Sequence, residues 1–128
     1  MFLLINTAEK GQVELALFDA ERLEQKKYPA ENRDVLTSVD DFLSSLGTSK
    51  DNIQGVMVVV GAGGFTSTRI ATTIANGFAY ARAIPVMGIS IDQVPEAQKL
   101  IPALLFRPRG QYVSATYSGE PNIGKIEK

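Results

Sequence analysis

The residues best placed to do chemistry lie in one run, Val60-Gly61-Ala62-Gly63-Gly64-Phe65-Thr66-Ser67-Thr68-Arg69. A glycine-rich turn between a strand and a helix gathers free backbone amides at the positive end of the helix dipole, which suits an anion. Gly61, Gly63, Gly64 and Thr66 form that candidate anion loop. The spacing departs from the common phosphate fingerprints: Thr66 stands where a dinucleotide loop has its third glycine, and no Lys-Ser/Thr pair follows. The simpler account is conformational, with glycines supplying positive φ and close strand-to-helix approach and Thr66 capping the helix. Arg69 opens a helix face that continues through Thr72, Thr73, Asn76 and Tyr80. That face is either solvated or a surface for a partner. Asn6 and Thr7 follow the first apolar run. Asn hydrogen-bonds without bringing charge to a cation, so Asn6 reads as a turn residue. Arg107 and Arg109 could meet an anion, but flanking a turn they read as solvated.

What is missing narrows the chemistry further. With no His and no Cys, the chain has no Ser-His-Asp triad, cysteine nucleophile, imidazole or thiolate zinc site, or disulfide. The carboxylates are scattered, so the reading assigns no catalytic residue, no metal and no cofactor. Thirteen Lys and Arg against 14 Asp and Glu give a net charge of −1, so strong phosphate-driven nucleic-acid binding is not expected. Nothing approaches the ~18 apolar residues of a membrane span. The opening Met1-Phe2-Leu3-Leu4-Ile5-Asn6 lacks the basic flank of a signal peptide. Together with the lack of Cys, this makes the expected location cytoplasmic.

The elements that must hold these residues follow from periodicity. Phe2-Leu3-Leu4-Ile5 reads as a strand buried on both faces. Over Lys10–Phe18, Val13, Leu15 and Leu17 alternate with Gln12, Glu14 and Ala16, as in a half-buried antiparallel strand, and Arg22–Tyr28 returns as its more polar hairpin partner. Val35, Leu36, Val39, Phe42, Leu43 and Leu46 recur at helical spacing, with Asn32 or Asp34 as cap and Gly47 as stop. Val56–Val60 reads as a central parallel strand. A second helix follows from about Thr66 to Arg82, with Ile70, Ile74, Gly77, Phe78 and Ala81 as its apolar face and Ala71, Ala75 and Ala79 on the flanks. Pro85 ends it, and Val86–Ile89 is another short strand. Pro95 and Pro102 bracket a helical turn. Leu104–Arg107 and Gln111–Tyr117 read as a terminal hairpin, and 119–128 as a flexible tail. The class is α/β, a mixed sheet covered by helices.

These segments also carry a resemblance. Gly61–Ile70 resembles the G-x-G-S-F-T-G-x-R-I segment of the TsaB (YeaZ) family. Ala75-Asn76-Gly77-Phe78-Ala79 and Ile84-Pro85-Val86-Met87-Gly88-Ile89-Ser90 are similar to its A-K-G-L-A and I-P-V-x-G-V-S. Phe2–Thr7 resembles its opening strand and I-D-T-S turn, with Asn6 in place of the Asp. Arg107–Tyr112 is similar to its D-A-R-R-x-E-V-Y segment without the leading Asp. Ser67-Thr68 replaces the T-G step. The resemblance spans residues 2–118 and implies a single ribonuclease-H-like, actin-like domain over 1–118, its hairpin at 104–117. It stops where the family's second domain would begin. A chain reduced to the N-terminal half of a nucleotide clamp is expected to bind ATP weakly or not at all.

The resemblance further implies a non-catalytic scaffold in threonylcarbamoyladenosine modification of tRNA. Such a scaffold pairs with a TsaD-like catalytic subunit, or with a second copy as a homodimer, and the pair recruits a TsaE-like ATPase. Carried over by position, the interface would draw on Leu36, Val39 and Phe42 from the first helix and Arg69, Thr73, Asn76 and Tyr80 from the second. Two alternatives stand beside this reading. One is a nucleotide- or anion-binding domain using the Gly61–Thr66 loop; the other is a structural homodimer unrelated to tRNA modification.

Overall fold

A computed structural model describes residues 1–29, 35–62 and 65–113. The order of elements is β1 (Phe2–Asn6), β2 (Gln12–Phe18), β3 (Leu23–Pro29), α1 (Val35–Ser45), β4 (Gly55–Val59), α2 (Phe65–Arg82), β5 (Val86–Ile89) and α3 (Ile101–Phe106). A short 3₁₀ turn spans Lys50–Asn52, and a longer 3₁₀ run, Ile91–Leu100, leads into α3. The five strands form one sheet in the order β3-β2-β1-β4-β5. β1 to β3 are joined as antiparallel neighbours, whereas β1, β4 and β5 run parallel. Parallel neighbours need crossovers, and α1 and α2 supply them.

Alternation along the strands divides the core in two. Leu3, Ile5, Val13, Leu15, Leu17, Val56 and Val58 pack under α1 and α2. Phe2, Leu4, Ala16, Phe18, Met57, Val59 and Ile89 pack on the opposite face, under Ala97, Ile101 and Leu104. β2 is therefore not half-buried as its alternation predicts, since Ala16 and Phe18 are as buried as Leu15 and Leu17. The cause is the segment 91–106, where two prolines hide the helical period. It folds onto the second face, and Gly55 leaves room for Leu104, because a Cβ there would stand 2.7 Å from Leu104 Cδ2.

The same segment corrects the terminal hairpin. Leu104–Phe106 form the last turn of α3 rather than a strand, with Pro102 in its first turn, where the missing N–H costs nothing. Residues 111–113 are irregular, and 114–128 lie outside the described residues, as do the proposed caps Asn32 and Asp34. Both helix stops are resolved. Gly47 takes φ +66°, and the Thr48 N–H reaches back to the Leu43 carbonyl at 2.9 Å, a Schellman closure. α2 ends the same way on Ala83, at φ 56°, with the Ile84 N–H on the Ala79 carbonyl at 3.1 Å. Pro85 follows this stop instead of making it.

Candidate functional site

α2 does not face the sheet as its large apolar residues predict. The side that packs inward is Thr68, Ala71, Thr72, Ala75, Phe78 and Ala79, all buried. Small side chains let the helix lie close on β4, and the two threonines satisfy themselves locally. Thr68 Oγ1 donates to the Ala62 carbonyl at 3.2 Å, and Thr72 Oγ1 to the Thr68 carbonyl at 2.7 Å. Of the predicted apolar face, only Phe78 is buried, and the rest turns outward. Ile70 is 42% exposed, Ile74 is half-buried, and Gly77 and Ala81 are exposed.

Beside them, α1 presents Leu36, 44% exposed. Leu36, Thr73, Ile74, Gly77, Phe78 and Ala81 line an open groove of about 320 Å³, with Lys50 and Arg82 at its rim. Both rim cations are committed within the chain. Lys50 pairs with Asp40 at 2.8 Å, and Arg82 pairs with Asp51. A Cβ on Gly77 would meet nothing within 4 Å, so the groove is open at that point. What the groove offers is apolar surface.

The predicted interface residues fall into three groups. Leu36, Arg69, Thr73 and Tyr80 are exposed, Tyr80 at 76%. Val39 and Phe42 are not available to a partner, because both lie in the core with exposures of 0% and 2%. They occupy the inward stripe of α1, and Phe42 meets Tyr28 edge-on at 6.4 Å. Asn76 is engaged within the chain. Its Oδ1 accepts the Val113 N–H and its Nδ2 donates to the Val113 carbonyl, each at 2.9 Å. Residue spacing could not reveal that clamp, because its partner lies 37 residues away. One clue was Gly88, which leaves space for Val113; a Cβ there would sit 3.1 Å from Val113 Cγ1.

In the candidate anion loop, Gly61 has φ +80°, which accounts for its residue type. Gly63, Gly64 and the side chain of Thr66 lie outside the described residues. Asn6 is a turn residue as read: its Oδ1 accepts the Ala8 N–H at 2.9 Å, and its Nδ2 reaches Glu14 Oε1 at 3.3 Å. Arg107 is not simply solvated, since its Nε donates to the Val86 carbonyl at 2.8 Å, on the outer edge of β5. No group of three or more His, Cys, Asp or Glu that could hold a metal occurs among the described residues. None of the described helices is long and apolar enough to cross a membrane.

The model of the TsaD family, tRNA N6-adenosine threonylcarbamoyltransferase, matches residues 30–106, a span that contains α1 and runs to the end of α3. The chain belongs to the TsaD family. Among solved structures, the TsaD-family fold seen here is similar to YeaZ from Pseudomonas aeruginosa, at 25% identity and a TM-score of 0.62. The match covers 70% of this chain and 44% of that one. A second similar structure is an uncharacterized protein with similarity to peptidase YeaZ from Pseudomonas aeruginosa. It is 25% identical with a TM-score of 0.61, over 70% of this chain and 42% of that one. The chain thus spans less than half the length of these YeaZ structures. No curated protein matches the sequence. The resemblance to YeaZ (TsaB) and the α/β, ribonuclease-H-like architecture of a mixed five-stranded sheet with flanking helices therefore both hold.

Proposed function

We propose that this chain is a non-catalytic interaction module of the YeaZ (TsaB) type that supports a TsaD-like subunit in threonylcarbamoyladenosine modification of tRNA. One observation carries the reading. Apart from Phe78, α2 turns small residues to the sheet, and it leaves Ile70 exposed and Ile74 half-exposed beside an exposed leucine of α1. A lone domain gains nothing from that arrangement, whereas a helix from a partner would bury Leu36, Ile70 and Ile74 over Gly77. Because Lys50 and Arg82 are already paired, the partner surface is apolar at its centre and polar at its edge. The TsaD-like subunit is the partner that the resemblance to the YeaZ (TsaB) family implies. The assembled pair would then recruit a TsaE-like ATPase.

Gly77→Leu tests the reading cleanly. Leucine is a better helix former than glycine by up to about 1 kcal/mol, and its side chain enters open space, so the variant should unfold at equal or higher urea than the parent. The same side chain fills the groove, so co-purification with a TsaD-like subunit should be lost. Ile74→Asp should lose it as well. Unchanged capture by both variants would exclude the groove. Threonylcarbamoyl transfer to tRNA by the purified chain alone would exclude the non-catalytic role.

A further inference from the structure

The two edges of the sheet are treated differently. At β5, Arg107 takes the outward Val86 carbonyl, and Val113 lies against Gly88, held by Asn76. At the other end, β3 has β2 on one side and no described neighbour on the other. Every residue of β3 except Tyr28 is exposed. An uncovered edge with free backbone groups is a template for another strand.

The register states which groups that edge presents. The Asp19 N–H bonds the Arg22 carbonyl at 3.0 Å, so residues 22, 24, 26 and 28 turn their backbone groups toward β2, by the alternation of an antiparallel ladder. Leu23, Gln25 and Lys27 turn theirs outward. Pro29 has the outward phase too, but lacks an N–H and ends the usable edge there. The side chains of Glu24 and Lys26 share the face of Tyr28, and Lys26 Nζ lies 5.2 Å from the Tyr28 ring centroid. Across β2, Glu24 faces Leu17 and Lys26 faces Leu15, so neither charge has a counter-charge opposite it within the sheet.

From this we propose that the β3 edge is a self-association surface, pairing antiparallel with β3 of a second copy about a two-fold axis through Gln25. That register suits both backbone and side chains. Centred on Gln25, the outward groups of Leu23, Gln25 and Lys27 meet those of Lys27, Gln25 and Leu23 in the second copy. Glu24 then faces Lys26 twice, in the closely spaced pairs where side chains approach most. A two-fold at Lys26 would set Lys26 against itself, one at Lys27 would oppose two lysines and bring in Pro29, and one at Glu24 would oppose two glutamates. The chosen register also covers exposed Leu23 with the aliphatic stem of Lys27 from the other copy. With a net charge of −1, the two copies repel little. The result is one continuous sheet that leaves the α1–α2 groove clear, so it does not depend on the function proposed above.

The ladder is short, below the ~1,200 Å² of stable interfaces, and its dimer should be reversible. Sedimentation velocity on the full chain from roughly 10 µM to 1 mM should show a monomer–dimer equilibrium. Lys26→Glu sets like charges opposite each other twice and should weaken the dimer by about tenfold or more. Adding Glu24→Lys to it restores opposite pairs and should restore the dimer. Gln25→Pro removes an outward N–H that pairs with no described strand, and should give a folded monomer by circular dichroism. A parent that stays monomeric throughout, a dimer indifferent to Lys26→Glu, or a double variant that fails to recover would each overturn the proposal. So would a dimer lost on Gly77→Leu instead.

Discussion

At the residue scale, Asn6 shows how a single atom decides what a position can do. Its carbonyl closes a turn on Ala8, and its amide donates toward Glu14. The I-D-T-S turn of the YeaZ (TsaB) family, which this segment resembles, has Asp at the matching place. Here an Asp would lose the donor and set a second carboxylate beside Glu14. We expect Asn6→Asp to lower stability by about 1–2 kcal/mol at neutral pH. Two neighbouring carboxylates repel only while both are ionised, so the loss should be present above the ordinary carboxylate pKa and should fade as pH falls. Urea midpoints at neutral and acid pH measure this, and Glu14→Gln in the same chain should remove most of the difference. A variant equally destabilised at both pH values would refute the account. Asp19 shows the ordinary case: the N–H groups of Glu21 and Arg22 hold its carboxyl below the usual range. Asn6, Gly47 and Gly61 are each legible from residue type, because turn chemistry is local.

At the element scale, strand and helix positions largely follow from periodicity, while the faces of α2 do not. Hydrophobicity ranks Ile70 and Ile74 above Ala71 and Ala75, yet the alanines are the buried ones. The sheet selects for close approach, and a residue without a long side chain approaches most closely. The strand read at Leu104–Arg107 fails for a related reason: a short apolar run does not distinguish strand from buried helix, and Pro102 three residues before Leu105 marks a helix start. The stop of α2 supplies a test. Ala83 carries a left-handed backbone, which costs an L residue roughly 1–2 kcal/mol, against a smaller unfolded-state cost for glycine. Ala83→Gly should therefore stabilise the protein by about 0.5–1 kcal/mol. A thermal midpoint that falls instead would mean that the Ala83 methyl makes a contact worth more than the strain.

At the scale of the whole molecule, one sheet serves two cores, so damage to either should be felt by both. Leu104 is fully buried on the α3 side, over Gly55 and among the residues packed with Phe2. Leu104→Ala should cost about 2–5 kcal/mol, lowering the urea midpoint in a single transition with an unchanged slope. Two separate transitions would show instead that the 91–106 segment unfolds independently of the sheet. The two-sided burial also bears on function. Covering the second face seats α3, and the chain beyond it then crosses the β5 edge to reach Asn76. Among the described residues, β3 is left as the edge without a neighbouring strand, and exposed apolar residues remain on both sides, Leu36 and Ile70 on α1 and α2 and Leu105 and Phe106 on α3.

Alone, the sequence determined the five strands of the sheet, the two main helices, the glycine stop of α1 and the resemblance to the YeaZ family, because each rests on a period or a turn within a few neighbouring residues. Only the tertiary structure decided which side of α2 meets the sheet, that Val39 and Phe42 are core, and that Asn76 holds Val113. Those outcomes depend on how closely separate elements can approach and on contacts between distant residues, and no local pattern encodes either.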